Sequence, residues 1–210
     1  MLAWMMVAVA VAEPYAQGED LLTHMEGHFA AATDASWFVA LGDLASMRTA
    51  AQKLDHEPLR SMPREWRADA RKMQKAARVV VAVQDVASAA PAVAALGGTC
   101  ASCHTTNPAG PRLTESEVKM EVLTPIGQHA LAPYWLWVGF VMNSDAAWQN
   151  GAKALVGAPI ARGTEPFVPT FDALAASVKV AEASEREALM GQLLGTCKTC
   201  HDAAGVTVEP

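Results

Sequence analysis

Every cysteine of this 210-residue chain belongs to one of two motifs that end in histidine, CASCH at residues 100–104 and CKTCH at residues 197–201. CxxCH is the attachment signature for haem c. Two thiols three positions apart can each add to one of the two vinyl groups on the porphyrin edge, while the imidazole that follows reaches the iron. On a helix, positions i, i+3 and i+4 share a face, so the chemistry asks for helical motifs. The flanking residues agree: Val93, Leu96, Cys100 and Cys103/His104 continue one apolar stripe, and Leu189, Leu193, Cys197 and Cys200/His201 another. Both motifs are expected to face a core. The chain is expected to hold two covalently bound haems c, tethered by Cys100, Cys103, Cys197 and Cys200, with His104 and His201 as proximal iron ligands.

Two other uses of CxxC compete. Structural zinc sites usually place their CxxC pairs about 15–20 residues apart, whereas 93 residues separate Cys103 from Cys197 here. A thioredoxin-like redox pair needs a βαβ setting and no histidine after each motif. Neither fits the pattern as well as haem c.

Half of the residues are apolar, alanine is abundant and β-branched runs are few, which favours an all-α fold with a sizeable core. A formal net charge of −6 and the absence of any lysine/arginine run argue against nucleic acid. The acidic excess suits docking with a basic redox partner. Residues Leu2 to Ala12 form an apolar stretch ending in Ala10-Val11-Ala12, which reads as a signal peptide over residues 1–17 and places the protein in the periplasm. The usual positive n-region is missing, since no Lys or Arg precedes Arg48, and a buried N-terminal helix is the competing reading. The apolar run Tyr134 to Met142 falls well short of the ~20 residues of a membrane span. It is expected to be a buried helix against a haem or an interdomain face.

The motifs lie 97 residues apart and each ends a similar length of helical pattern, which suggests a tandem repeat. LGGTCASCH from Leu96 echoes LLGTCKTCH from Leu193, and FVALGDLASM from Phe38 echoes FVMNSDAAWQ from Phe140. The expected division is 18–110 and 111–210, with the boundary in the Pro/Gly stretch Asn107 to Pro111 and each half folding by itself. In the first half the expected helices are Glu19 to Leu41, with Thr33-Asp34 a possible interruption, Asp43 to Leu54 with Asp43 as N-cap, a third carrying a stripe from Trp66 to Ala87, and a fourth starting at Pro91. The second half is expected to open with a capping box, Thr114 to Glu117, and a short helix. Helices follow from Ile126 to Met142, from Ser144, from Thr170, and from a second capping box at Ser184 and Glu187. Eight helices in two groups of four is the simplest count.

Four helices with CxxCH on the last one resembles the cytochrome c′ family of class II cytochromes c, and the resemblance recurs in both halves. HMEGHF, His24 to Phe29, is the strongest match in the first helix, and only nine residues follow His201, too few for a class I cytochrome c. The resemblance implies two tandem four-helix bundles. It also implies that a residue of each first helix faces the iron, either an apolar blocker or a methionine, and that homodimers are common. The chain departs from the family after each motif, where Thr105-Thr106-Asn107 and Asp202-Ala203-Ala204 replace the usual aromatic and basic residues.

Helical geometry then narrows the distal residue. Leu22, Met25, Phe29 and Ala32 make one stripe, with His24 and His28 about 70–110° from its centre. Met25 is the first expectation, Leu22 as an apolar blocker the second, and Met25 as plain core the alternative. In the second half the stripe is Ile126, His129, Pro133, Leu136 and Phe140, so His129 is the candidate ligand and Met120 its alternative. His56 reads as a surface residue. Different axial ligands would separate the two potentials, because methionine raises the potential relative to histidine. The leading expectation is a periplasmic diheme electron carrier that serves redox partner proteins and is not an enzyme. The alternative is a gas-binding protein for NO or CO with at least one five-coordinate iron. A peroxidase using His28 or Glu26 is the weakest reading.

Overall fold

The computed structural model describes residues 18–59, 62–107, 125–157 and 165–206, and every α-helix and 3₁₀ turn in them belongs to an all-helical fold with no strand among those residues. The α-helices are α1 (Gly18–Leu41), α2 (Leu44–Asp55), α3 (Arg67–Ala82), α4 (Val86–Thr106), α5 (Pro125–Val141), α6 (Asp145–Gly157), α7 (Val168–Val180) and α8 (Arg186–Ala203). Residues 1–17, most of the 107–111 boundary, the 114–117 capping box and Met120 lie outside the described residues.

Local chemistry sets the ends. α1 leaves through Gly42 at φ +81°, with Gly42 N–H bonded to Val39 O at 2.9 Å and Asp43 N–H to Phe38 O at 2.8 Å, a Schellman turn. Asp43 then caps α2 by accepting from Ser46 N–H at 3.0 Å. α5 leaves the same way: Asn143 takes φ +49°, its N–H bonds Phe140 O at 3.2 Å, and Ser144 N–H bonds Gly139 O at 2.9 Å. Ser144 Oγ accepts from Ala147 N–H at 3.3 Å to cap α6. These turns are 101 residues apart, so Phe38 corresponds to Gly139, one residue off the register that matching Phe38 to Phe140 suggests. The offset holds at the 3₁₀ turns 64–66 and 165–167 and falls to 97 at the caps Asp85 and Glu182.

Four boundaries differ from expectation. α1 runs through Thr33-Asp34 unbroken, with Ser36 Oγ bonded back to Thr33 O at 2.8 Å. The stripe from Trp66 to Ala87 is split, because Val83 turns extended and ends α3. Pro91 lies inside α4 and does not start it, since Asp85 accepts from Ser88 N–H at 2.8 Å and begins the helix earlier. Before α8 the capping box is Glu182/Glu185, whose side chains satisfy each other's backbone N–H, and not Ser184/Glu187.

Within each half, successive helices pack on one another and the last returns to the first. Across the halves α4 lies along α8, α1 meets α8, and α4 meets α5. The α4/α8 pair is antiparallel: Gly191 faces Pro91 and Ala94, Gly195 faces Ala90, and Gly98 faces Glu187. Buried residues from both halves, among them Val39, Met47, Val93, Leu96, Leu136, Trp137, Trp148 and Leu193, form one continuous cluster. The apolar run of α5 is buried at Leu136, Trp137, Val138, Phe140 and Val141, and Trp137 Nε1–H donates to Thr33 Oγ1 of α1 at 3.1 Å, so it fills the face between the halves. α4 is the one helix among the described residues long and apolar enough to cross a membrane by length and composition, and here it packs against α1, α3, α5 and α8.

α5 and α6 approach closely because Gly139 and Gly151 carry no side chain; a Cβ on Gly139 would run into the backbone of Trp148. Gly139→Ala is therefore expected to destabilise by about 1–3 kcal/mol through overpacking, despite alanine's better helix propensity. Gly27, in open space on α1, is the contrast: Gly27→Ala is expected to stabilise by roughly 0.5–1 kcal/mol. Denaturant midpoints of the two variants check both signs.

Candidate functional site

Each motif sits on the last turns of a helix that crosses the centre of the fold, and each histidine is oriented by the other half. His104 Nδ1–H donates to Val141 O at 2.8 Å, and His201 Nδ1–H donates to Ala40 O at 2.9 Å. Ala40 and Val141 are equivalent by the 101-residue offset. Both carbonyls belong to last helical turns, where carbonyls lack an intrahelical partner. A carbonyl can only accept, so the proton is fixed on Nδ1 and the Nε2 lone pair is left for a metal, the arrangement usual for metal-binding histidine. Two further contacts repeat the docking: Asn143 Nδ2–H donates to Thr105 Oγ1 at 3.3 Å, and the Lys198 side chain lies over Gly42.

Beside the first motif is a cavity of about 550 Å³, within the range that takes a cofactor-sized ligand, ~300–1,000 Å³. Cys100, Cys103 and His104 line it from α4, and Val141 and Met142 from the other half. From α1 come all four stripe residues, Leu22, Met25, Phe29 and Ala32, together with Glu26 and His28. Leu22 is 62% exposed at the rim, whereas His28 is only 8% exposed.

At the second motif, His129 and His201 face each other with ring centroids 6.3 Å apart and planes at 62°. Two imidazoles bound to opposite sides of one metal through bonds of ~2.0–2.1 Å would hold their centroids roughly 6 Å apart. His129 Nδ1 is enclosed without a hydrogen-bond partner, an omission that costs about 1–3 kcal/mol unless a ligand bond replaces it. Burial, then the charge of His201, lowers the pKa of His129; burial lowers that of His104 against the Val141 bond. Both rings are thus held in the neutral form that ligates. The residues present fit a haem at the first motif, and at the second they offer two facing imidazoles as ligands.

The thiols argue against the competing uses. Burial and the neighbouring cysteine push Cys100 up to about 11 and Cys197 up to about 12, the opposite of an activated redox thiol. All four cysteines are free, and they are not gathered into one ligand group. Among the described residues a different group gathers: His24 Nδ1 lies 3.6 Å and His28 Nε2 3.7 Å from the Glu57 carboxylate, with the donor atoms of all three within 4.8 Å. Burial, then His24, lowers the pKa of His28, with Glu57 opposing. His56 is exposed, as expected.

The carbonyls of Ala40 and Val141 had no sequence signal, because a backbone acceptor has no residue type. Glu57 had none either, since it reaches His24 and His28 from a loop, held there by Gln74 Nε2–H donating to its backbone carbonyl at 2.6 Å. No family model, curated protein or solved structure matches this chain.

Because each half supplies the carbonyl that orients the other's imidazole, residues 18–110 and 111–210 made as separate chains are expected to mature together and not singly. Haem stoichiometry by denaturing mass spectrometry, for each half alone and for the co-expressed pair, checks this. Two soluble single-haem halves would show that the exchanged bonds and the shared core are dispensable.

Proposed function

We propose that this chain is an exported, periplasmic diheme c-type cytochrome that works in electron transfer, built as two tandem four-helix bundles of the cytochrome c′ type. The observation that carries this reading is the cavity that brings Cys100, Cys103 and His104 of the first motif against the α1 stripe. Bound haem c supplies a one-electron ferric/ferrous couple. The rest is work for the protein. The cysteines tether, His104 and His201 ligate through Nε2, and Val141 and Ala40 hold those rings in one tautomer and orientation. Phe29, Ala32, Met73 and Ala70 make a largely apolar wall that limits water at the first site. His129 opposite His201 supports a six-coordinate second site, which suits electron transfer and leaves no open position for a substrate. The formal net charge of −6 suits a basic redox partner.

The size and apolar wall of the first cavity favour a second reading, a gas-binding site of the cytochrome c′ type. Carbon monoxide separates the two: an electron carrier with two six-coordinate haems is expected to show no change in its ferrous spectrum, and a gas-binding protein a shift in at least half of the haem.

Denaturing mass spectrometry of protein matured in a host that attaches haem c is expected to give apoprotein plus two haems. His129→Ala is expected to convert half of the haem to the high-spin, carbon monoxide-reactive form. A chain that carries zinc and no covalent haem would overturn the reading.

A further inference from the structure

We infer that His28, and not Met25, is the sixth ligand at the first motif, so that both sites are bis-histidine. The inference rests on the haem reading above and adds the ligand that reading leaves open.

The internal repeat carries it first. The offset of 101 residues, fixed by the Gly42 and Asn143 turns and by the Ala40 and Val141 carbonyls, pairs His28 with His129. Sequence agrees around them: Leu22-Thr23 and Leu123-Thr124 each precede these histidines by the same spacing. Met25 pairs with Ile126, so the thioether has no counterpart and the imidazole does. His129 is the ring that faces His201 at 6.3 Å, and His28, its counterpart by the 101-residue offset, lines the cavity that His104 also lines.

The cavity carries it second. His28 lines the cavity that Cys100, Cys103 and His104 also line, although it is 8% exposed, and its Nε2 is enclosed with the Glu57 carboxylate at 3.7 Å, beyond hydrogen-bond length. A buried imidazole with an orphaned nitrogen is costly, and a metal bond removes that cost. Met25 lines the same cavity, so the stripe by itself does not choose between the two side chains. In the fold α1 packs against α2, α4 and α8 together, so more of its circumference is inward and a residue off the stripe's centre reaches the cavity.

The test uses the full-length holo-protein. The ferric wild type is expected to be low-spin at both haems, with the near-infrared charge-transfer band of a bis-imidazole pair and no methionine-to-iron band. His28→Ala is expected to turn half of the haem high-spin and reactive with carbon monoxide, and added imidazole to restore the low-spin spectrum. The His28→Ala/His129→Ala double variant is expected to open both haems, and Met25→Ala neither. Imidazole rescue separates a lost ligand from a collapsed pocket. The inference is overturned if Met25→Ala opens one haem while His28→Ala opens none, if a methionine-to-iron band is present, or if imidazole does not rescue His28→Ala. Absence of covalent haem from the wild type would instead sink the cytochrome reading itself, and mass spectrometry on the same sample reports that separately.

Discussion

The arrangement turns on two hydrogen bonds that exchange partners between the halves, His104 to the Val141 carbonyl and His201 to the Ala40 carbonyl. A neutral hydrogen bond contributes only about 0.5–1.5 kcal/mol net, so the pair cannot account for the fold's stability. Its importance is directional. A histidine on the last turn of a helix can rotate about two torsions, and an imidazole that wanders is a poor ligand. By donating Nδ1–H to a carbonyl that helix termination has already left without a partner, each ring gains one orientation and one tautomer.

Those bonds constrain everything around them. For each motif to reach the opposite α1 or α5, the motif-bearing helices α4 and α8 must cross the molecule antiparallel and in contact, which the small residues Ala90, Ala94, Gly191 and Gly195 permit. The contact pattern is isologous: the first half gives a carbonyl to the second and takes one back from the equivalent position, as two copies do in a twofold dimer. The pairing of a homodimer is thus made within one chain. Stability comes from the apolar burial this creates, which is continuous across the halves and takes its large aromatics from the second half, Trp137 and Phe140 of α5, Trp148 of α6 and Phe171 of α7.

Sequence carried the local part of this well. Helices with clear caps, such as α2 behind Asp43 and α6 behind Ser144, were legible because capping is short-range chemistry between neighbours in the chain. The motif cysteines and histidines were legible as one helical face because positions i, i+3 and i+4 share a side, and Cys100, Cys103 and His104 line one cavity together. Pro91 misled because proline favours the first position of a helix, and the competing signal was the Asp85 cap upstream. There Asp85 holds Ser88 N–H through its side chain and Ala89 N–H through its carbonyl, so the first turn is complete before the proline is reached. What sequence could not carry was long-range. The exchanged carbonyls, the contact of α4 with α8, and the wall that Val141 and Met142 add to the cavity lined by Met25 and His28 all depend on how the halves meet.

The two sites share a backbone and differ in their surroundings. His28 has His24 one turn before it and the Glu57 carboxylate 3.7 Å away, whereas the position of His24 is Pro125 in the second half and His129 Nδ1 is without a hydrogen-bond partner. Neither His24 nor Glu57 belongs to the exchanged bonds, so these positions can diverge between the halves without disturbing the docking. Charge and hydrogen bonding near an axial ligand tune a haem's potential even when the ligand is the same. On the ligand set inferred above, a repeat of this kind would need no second ligand type to hold two unequal sites: the anchoring carbonyls keep the geometry alike, and His24 and Glu57, present beside His28 and without counterparts at His129, would set them apart.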